Sequence, residues 1–339
     1  MYSYNNIETT LCGQDKNGTM PSRVDIDLTN VCNQDCFYCN SADFRRKFHV
    51  SGPSQLFYKL IDQLAGWKEK NPDHKGKLEE IVFTGGGEPT VHKDYHKIIE
   101  YAIDKGFMIQ MITNGSKLSK LVKYLPEQKI KNIRWIGVDV DSGNAITYEK
   151  IRKSLTAKSL FEPVRESIKQ ATDKGYVCDI KSLIMKDNST EDELKALFAF
   201  AKETNANKLH LRPFCDYEKK TTFEVTEETQ DIMRKLSAEF EVPYSLNLGR
   251  QVPRTYKKCH QMFLYPIFAA NGKIYVCCEG RGQDKFVLGN WYHDDIRDLW
   301  YGKKHFEIYN SIDVSLCPPC TPNKWNNEIQ KLVDQISKN

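Results

Sequence analysis

The sequence predicts an α/β protein built on a parallel sheet. Two observations carry this. Short apolar strand patterns alternate with amphipathic helical stretches from about residue 23 to residue 213, and alternation of this kind implies parallel strands joined by crossover helices. Each strand pattern also ends in a glycine-rich or polar motif, and α/β folds gather their sites at the carboxyl ends of the strands. At 339 residues, the chain is long enough for two domains.

The elements follow in order. Residues 1–20 read as a polar extension. Val24, Ile26 and Leu28 alternate with Asp25 and Asp27, a half-buried strand, which runs into Thr29-Asn30-Val31-Cys32. Leu56, Leu60, Leu64 and Trp67 recur at helical spacing behind Pro53 and Ser54. Ile81-Val82-Phe83 is a strand ending in Thr84-Gly85-Gly86-Gly87-Glu88-Pro89. A helix around 94–104 stops at Gly106, and the strand 107–112 ends in Thr113-Asn114-Gly115. The strand 133–140 ends in Asp139-Val140-Asp141-Ser142-Gly143. A helix over 164–173 stops at Gly175 and precedes the strand 176–184. The helix 191–202 places Leu194, Leu197, Phe198 and Ala201 on one face, and the strand 208–212 stops at Pro213.

Beyond Pro213 the pattern changes. Residues 216–258 read as a connector with one helix near 227–239. In the region 259–339, two apolar runs flank Asn271-Gly272, a strong hairpin signal. Short helices are predicted near 295–300 and 305–310, before Cys317-Pro318-Pro319-Cys320.

Composition narrows the function. Lys and Arg total 49 against 45 Asp and Glu, a net charge of +4, so a dedicated nucleic-acid binder with a large basic excess is not expected. The longest apolar run, Met262 to Ala270, is interrupted by Pro266 and is too short to span a membrane. The first residues lack the basic and apolar regions of a secretory signal. A cytoplasmic location is therefore expected.

Cysteine is the informative residue. There are 11, and reduced cysteines in a cytosolic chain point to metal binding or catalysis rather than disulfides. Cys32, Cys36 and Cys39 form one group. Cys259, Cys277, Cys278, Cys317 and Cys320 form another near the end. Three soft thiolates on one loop suit an iron–sulfur cluster. A zinc loop completed by His49 is the rival reading.

The spacing Cys32-x3-Cys36-x2-Cys39, with Tyr38 before the last cysteine, resembles the signature of the radical S-adenosylmethionine (radical SAM) superfamily. Gly85-Gly86-Gly87-Glu88-Pro89 on the next strand end resembles its SAM-binding glycine motif, and the resemblance covers about residues 22–215. It implies a partial parallel (β/α)6 barrel over 21–215. It also implies a [4Fe–4S] cluster on Cys32, Cys36 and Cys39, with SAM chelating the open iron through its amino and carboxylate groups. Reductive cleavage of SAM would then give a 5′-deoxyadenosyl radical that abstracts a substrate hydrogen. A flavodoxin- or ferredoxin-type reductant would supply the electron. By position, Tyr38, Gly85, Gly86, Gly87, Glu88, Thr113 and Asn114 are expected to bind the cofactor. Asp139 stands where many relatives carry a serine, so it contacts either SAM or substrate. Lys181 and Arg212 on the late strands are candidates to balance the SAM carboxylate.

The second cysteine group, with Leu288-Gly289-Asn290-Trp291 and Asp298-Leu299-Trp300, resembles the SPASM/twitch extension of the same superfamily. The shorter twitch form implies one auxiliary [4Fe–4S] cluster on Cys259, Cys277, Cys317 and Cys320, with Cys278 spare or replacing Cys277. A four-cysteine zinc site is the alternative.

Cys12, Cys178, Cys215 and Cys278 remain. Cys215 follows a strand end, where a thiol could return a hydrogen atom to a carbon radical; Asp216 or Glu218 could act as a base. His92 and His96 read as a helix-start pair, and Lys117–Lys123 as a solvated helix face. The leading substrate reading is a ribosomally made peptide that is epimerised or cross-linked. Against it, the 31 residues before Cys32 are too few for a leader-binding domain. The alternatives are oxidation or rearrangement of a small molecule, such as an amino sugar, and a non-enzymatic zinc-binding module.

Overall fold

The structure, a computed structural model, describes residues 18–336; Cys12 and most of the expected N-terminal extension lie outside them. Six strands run parallel and in sequence order: β1 (Arg23–Asp27), β2 (Glu80–Thr84), β3 (Met108–Thr113), β4 (Ile133–Asp139), β5 (Cys178–Ile184) and β6 (Lys208–Pro213). These are the parallel strands that the alternation predicts, in the partial barrel that the resemblance implies.

The period-2 pattern sorts each strand between two faces. On β1, Val24 and Ile26 are fully buried under the helices, while Arg23 and Asp25 line the barrel interior. The helix Ser54–Ala65 covers this outer face with Phe57, Leu60, Ile61 and Leu64, and Tyr95–Asp104 does so with Ile98, Ile99, Ala102 and Ile103. The helix Glu191–Glu203 starts at Thr190, whose side chain caps the Glu193 N–H, and carries Glu191, Asp192 and Glu193 in its first turn, where the helix dipole favours negative charge.

The sheet extends further than expected. A short hairpin, β7 (Cys215–Asp216) with β8 (Thr221–Thr222), follows β6. The connector then supplies the helix Glu227–Phe240 and the strand β9 (Tyr244–Leu246), which pairs parallel to β6. At the opposite edge β10 (Ile267–Phe268) pairs parallel to β1, with Asp25 opposite Ile267. β11 (Lys273–Tyr275) and β12 (Val287–Asn290) continue it antiparallel. The result is one 10-stranded sheet, and it runs across the expected boundary at residue 259. Covering the β1 edge satisfies backbone groups that would otherwise stay unpaired. The Asn271-Gly272 turn is present, with Gly272 at φ +84°, but the strand before it is short because His260–Phe263 winds into a 3-10 turn.

Among the described residues, several helices escaped the sequence pattern, the short Ala42–Lys47 and two longer ones included. Ala145–Arg152 is capped by the Asn144 side chain. Asn323–Ile336 follows the last cysteines, anchored by Asn323 to the Gly249 and Val252 carbonyls and by Asn327 to Pro253. Among the described residues no helix is long and apolar enough to cross a membrane.

Candidate functional site

The first cysteine loop and the glycine loop are built against each other. The Gly87 N–H donates to the Thr29 carbonyl at 3.0 Å and the Glu88 N–H to the Val31 carbonyl at 2.9 Å. The contact is too close for side chains. A Cβ on Gly86 would stand 2.7 Å from Asn30 Oδ1, and one on Gly87 would clash with the Val31 carbonyl. Glycine is required here for close backbone approach.

Glu88 ties this pair to the next strand end. Its buried Oε1 accepts from the Thr90 N–H at 2.9 Å, from Thr90 Oγ1 at 2.6 Å and from Thr113 Oγ1 at 2.6 Å; Oε2 accepts from the Asn114 N–H at 2.6 Å. Burial pushes the carboxyl pKa up, and these donors oppose it. Every partner donates, so the carboxylate is the form that fits. Asn114 Nδ2 in turn donates to Asn33 Oδ1 at 2.8 Å, inside the cysteine loop. Glu88 and Thr113 thus act as framework for the loops.

A buried network fixes the far end of the cysteine loop. The Tyr38 hydroxyl donates to Asp141 Oδ2 at 2.5 Å, and Arg152 Nη1 donates to the same oxygen at 2.7 Å and to Tyr38 Oη at 2.9 Å. Arg152 Nε reaches Gln34 Oε1 at 3.2 Å, and the Leu183 N–H donates to Asp141 Oδ1 at 2.8 Å. Arg45, from the helix Ala42–Lys47, donates to the Gln34 carbonyl at 3.2 Å, and the cysteine thiols beside it favour its charge. Burial opposes the charge of Arg152, while Tyr38 and then Cys36 favour it. Burial raises the Cys32 thiol to about 11 and the Cys36 thiol to about 12. Two buried guanidinium groups beside three thiols match a centre whose ligands carry negative charge.

These loops open on a cleft of about 420 Å³ inside the barrel. It brings together Cys32, Cys36, Tyr38, Cys39, Gly85, Gly86, Gly87, Glu88, Thr113, Asn114, Asp139, Lys181, Arg212 and Cys215. Lys181 lies opposite Asp139 and His210 in the strand register, and Arg212 opposite Leu183. Burial draws the Lys181 ammonium down to about 8; Asp139 opposes this, while Arg212, Arg23 and Arg250 add to it. Cys215 is buried, and its thiol donates to the Pro319 carbonyl at 3.7 Å. Asp216 departs from its expected role. Its carboxylate accepts from the Glu218 and Lys219 N–H groups at 3.1 and 3.0 Å, so it caps its own turn and is not among the cleft residues.

The C-terminal segment walls the cleft with residues that no motif singles out. Arg281 forms a two-toothed pair with fully buried Asp27, at 2.7 and 3.0 Å, and donates to the Cys278 carbonyl at 2.8 Å. Arg250 donates to Tyr217 Oη at 2.7 Å, to Thr321 Oγ1 at 3.0 Å and to Glu279 Oε1 at 3.4 Å. Burial works to raise the Glu279 carboxyl, but Arg250 and the Tyr217 hydrogen bond hold it below the usual carboxylate range. Asn40 donates to Glu279 Oε2 at 2.8 Å, joining the first cysteine loop to the last segment.

The second cysteine group sits behind this wall. Cys259 and Cys320 influence each other electrostatically, as do Cys259 and Cys277, and Cys317 lies close enough to affect both Cys259 and Cys320. Asn326 donates to Cys259 Sγ at 3.6 Å, and Arg254 holds the loop through the carbonyls of Val314, Cys317 and Pro318. Cys278 lines the cleft and receives the Tyr265 hydroxyl at 3.9 Å. Cys320 acts electrostatically on both Cys277 and Cys278, and Cys259 on Cys277. Among the described residues no three His, Cys, Asp or Glu side chains converge at coordinating distance on one point. The donor chemistry still fits two clusters: three thiols on one loop beside a glycine cradle, and four thiols drawn from separate segments.

Known proteins are similar to this chain in sequence and in fold. An S-adenosylmethionine-dependent nucleotide dehydratase of Selenomonas ruminantium is 32% identical over 130 residues, 38% of this chain and 42% of that protein. A probable GTP 3′,8-cyclase of Pyrococcus horikoshii is 27% identical over 196 residues, 57% of this chain and 56% of that protein. The chain thus spans about half the length of the curated relatives it matches. Two solved structures share the fold. Streptococcus suis SuiB bound to precursor peptide SuiA has a TM-score of 0.63 at 14% identity, covering 92% of this chain and 73% of SuiB. The enzyme anSMEcpe with bound AdoMet has a TM-score of 0.64 at 15% identity, covering 94% and 93%. Both likenesses extend well beyond the barrel into the C-terminal segment. The sequence profile of the radical SAM superfamily matches residues 26–201, just over half of the chain, and the protein belongs to that superfamily.

Proposed function

We propose that the protein is a radical SAM enzyme that abstracts hydrogen from a substrate held between the first cysteine loop and the C-terminal wall. The observation that carries this is the joining of Cys32, Cys36 and Cys39 to the glycine cradle through Glu88 and Thr29, at the mouth of a charged internal cleft. Cys32, Cys36 and Cys39 would hold a [4Fe–4S] cluster, and Cys259, Cys277, Cys317 and Cys320 an auxiliary one. With SAM on its open iron and an electron from a flavodoxin- or ferredoxin-type reductant, the first cluster supplies the 5′-deoxyadenosyl radical.

The chain's own residues position the reactants. Gly85, Gly86 and Gly87 let backbone reach the methionyl end of SAM without Cβ interference. Glu88 and the Tyr38–Asp141–Arg152 network hold the loops in register. Asn40, Glu279 and Arg281 tie the C-terminal wall to the first cysteine loop and to β1. Burial raises the Cys215 pKa, which keeps it a thiol with a hydrogen to give; that suits it to return a hydrogen atom to a substrate carbon. The test is formation of 5′-deoxyadenosine by anaerobically reconstituted protein with dithionite and SAM. Wild type should form it and Cys32→Ala should not; equal formation by both would overturn the assignment.

A peptide substrate is one reading of that cleft. It is favoured by the fold shared with SuiB and anSMEcpe, whose structures hold peptides, and by half-exposed Phe37, whose ring lies 6.0 Å from that of Phe214 beside the cleft. A short precursor gene beside this one, whose product the enzyme modifies, would decide for the peptide.

A further inference from the structure

We propose that Lys181 and Arg212 hold an anionic oxygen group of the substrate, a phosphate or a carboxylate, rather than the carboxylate of SAM. This rests on the radical SAM reading above and specifies the substrate class for the same cleft.

The other cations of the cleft are paired, Arg45 with Asp35 at 3.5 Å among them. Arg281 pairs with Asp27, Arg152 with Asp141, and Arg250 with Glu279; Arg23 lies 3.2 Å from Asp25. Lys181 and Arg212 differ. Both line the cleft, yet neither has a hydrogen-bond or ion-pair partner for its charged group at contact distance among the described residues. Asp139 lies across the strand pair from Lys181 and favours its charge against burial, but no ion pair joins the two at contact distance. Both are half-buried in the cleft, where Arg212 is felt by Glu279 only at a distance, and partly desolvated cations without contact partners are favoured by a ligand that supplies the counter-charge.

Their position separates them from the place where SAM is held. The glycine cradle follows β2, whereas Lys181 and Arg212 stand on β5 and β6, at least three strand spacings away, or about 14 Å along the sheet. A SAM carboxylate bound at the iron by the cysteine loop needs no cation there. Lys181 and Arg212 instead face the side where Arg250, Glu279 and Cys278 close the cleft. A rigid guanidinium fork beside a compact ammonium suits an oxyanion presenting two or more acceptor atoms.

The test measures binding of pyrophosphate and of succinate, separately, to the anaerobically reconstituted full chain by calorimetry, with SAM affinity and SAM cleavage followed in the same preparation. Wild type should bind one of the two, with affinity falling as salt rises, and the better probe identifies phosphate or carboxylate. Lys181→Met/Arg212→Met should weaken that probe by roughly 100-fold, from two lost charge-assisted contacts, while SAM affinity stays within about twofold. Arg212→Lys, which keeps the charge, should lose less and serves if the double variant fails to fold. Binding of neither anion by a preparation that cleaves SAM would overturn the proposal alone. So would unchanged anion affinity in the variants, or a loss confined to SAM. Anion binding without SAM cleavage would instead sink the radical SAM reading and leave the anion site standing.

Discussion

Replacing Glu88 by glutamine should loosen the joint between the SAM-facing loops without changing side-chain volume. Oε1 takes three donors, from Thr90 N, Thr90 Oγ1 and Thr113 Oγ1, and Oε2 takes one, from Asn114 N. A glutamine best keeps its carbonyl at the Oε1 position, which turns its NH2 toward the Asn114 N–H. Two buried donors then face each other, and the remaining bonds lose their ionic character. One charged hydrogen bond lost and three weakened amount to about 2–4 kcal/mol. At about 2 °C per kcal/mol for a chain of this size, the melting temperature should fall by about 4–8 °C. SAM affinity should fall with it, because Asn114 also braces Asn33 in the cysteine loop. The assay is thermal unfolding of the full chain at pH 7, alongside SAM calorimetry. Glu227→Gln on the outer surface, whose partner Arg234 is half-exposed, should leave both unchanged. A Glu88→Gln protein that melts within a degree of wild type and binds SAM equally well would refute the framework role.

Two further outcomes follow from buried groups. His305 is fully buried; its Nε2 donates to the Met262 carbonyl at 3.0 Å and its Nδ1 accepts from the Tyr301 N–H at 3.2 Å, as neutral imidazole requires. Burial lowers its pKa from 6.5 to about 4. The unfolded chain therefore takes up this proton first: the stability tied to His305 is complete above pH 6.5 and is lost as pH falls toward 4, by about 3 kcal/mol over that window. Urea unfolding at pH 7 and at pH 4.5 should show a smaller difference in His305→Gln than in wild type; equal differences would remove His305 as the cause. Once a substrate is known, deuterium from D2O should enter the product with wild type and not with Cys215→Ala, and equal incorporation would exclude the Cys215 thiol as hydrogen donor.

Much of the site was legible because its signals are local. Cysteine spacing needs only eight consecutive residues, and the glycine loop declares itself at a strand end. Strand order follows from alternation, and the helix over 191–203 from its apolar face. What stayed hidden depends on contacts between distant segments. Nothing in the sequence links Tyr38 to Asp141 and Arg152, since Arg152 lies on a helix whose one clear start signal is Asn144. Asp27 meets Arg281 only because Ile267 and Phe268 dock on the β1 edge, a pairing of two-residue length that no periodic pattern announces. The same docking makes the C-terminal hairpin part of the main sheet rather than a detached unit. Arg250 sits in what reads as connector, and only the folded chain carries it to Tyr217 and Glu279. Asp216 shows the opposite error: adjacency to a strand end suggested chemistry, while its carboxylate serves the turn that follows.

The central claim is that the first three cysteines hold a cluster with an iron open to SAM. Electron paramagnetic resonance of the dithionite-reduced, anaerobically reconstituted protein tests it most directly, recorded with and without SAM. The account predicts a [4Fe–4S] signal that shifts when SAM binds, and loss of that SAM-sensitive component in the Cys32→Ala/Cys36→Ala/Cys39→Ala variant, with the signal of the second centre retained. A reduced spectrum that SAM leaves unchanged, or a SAM-sensitive signal that survives the triple substitution, would contradict it.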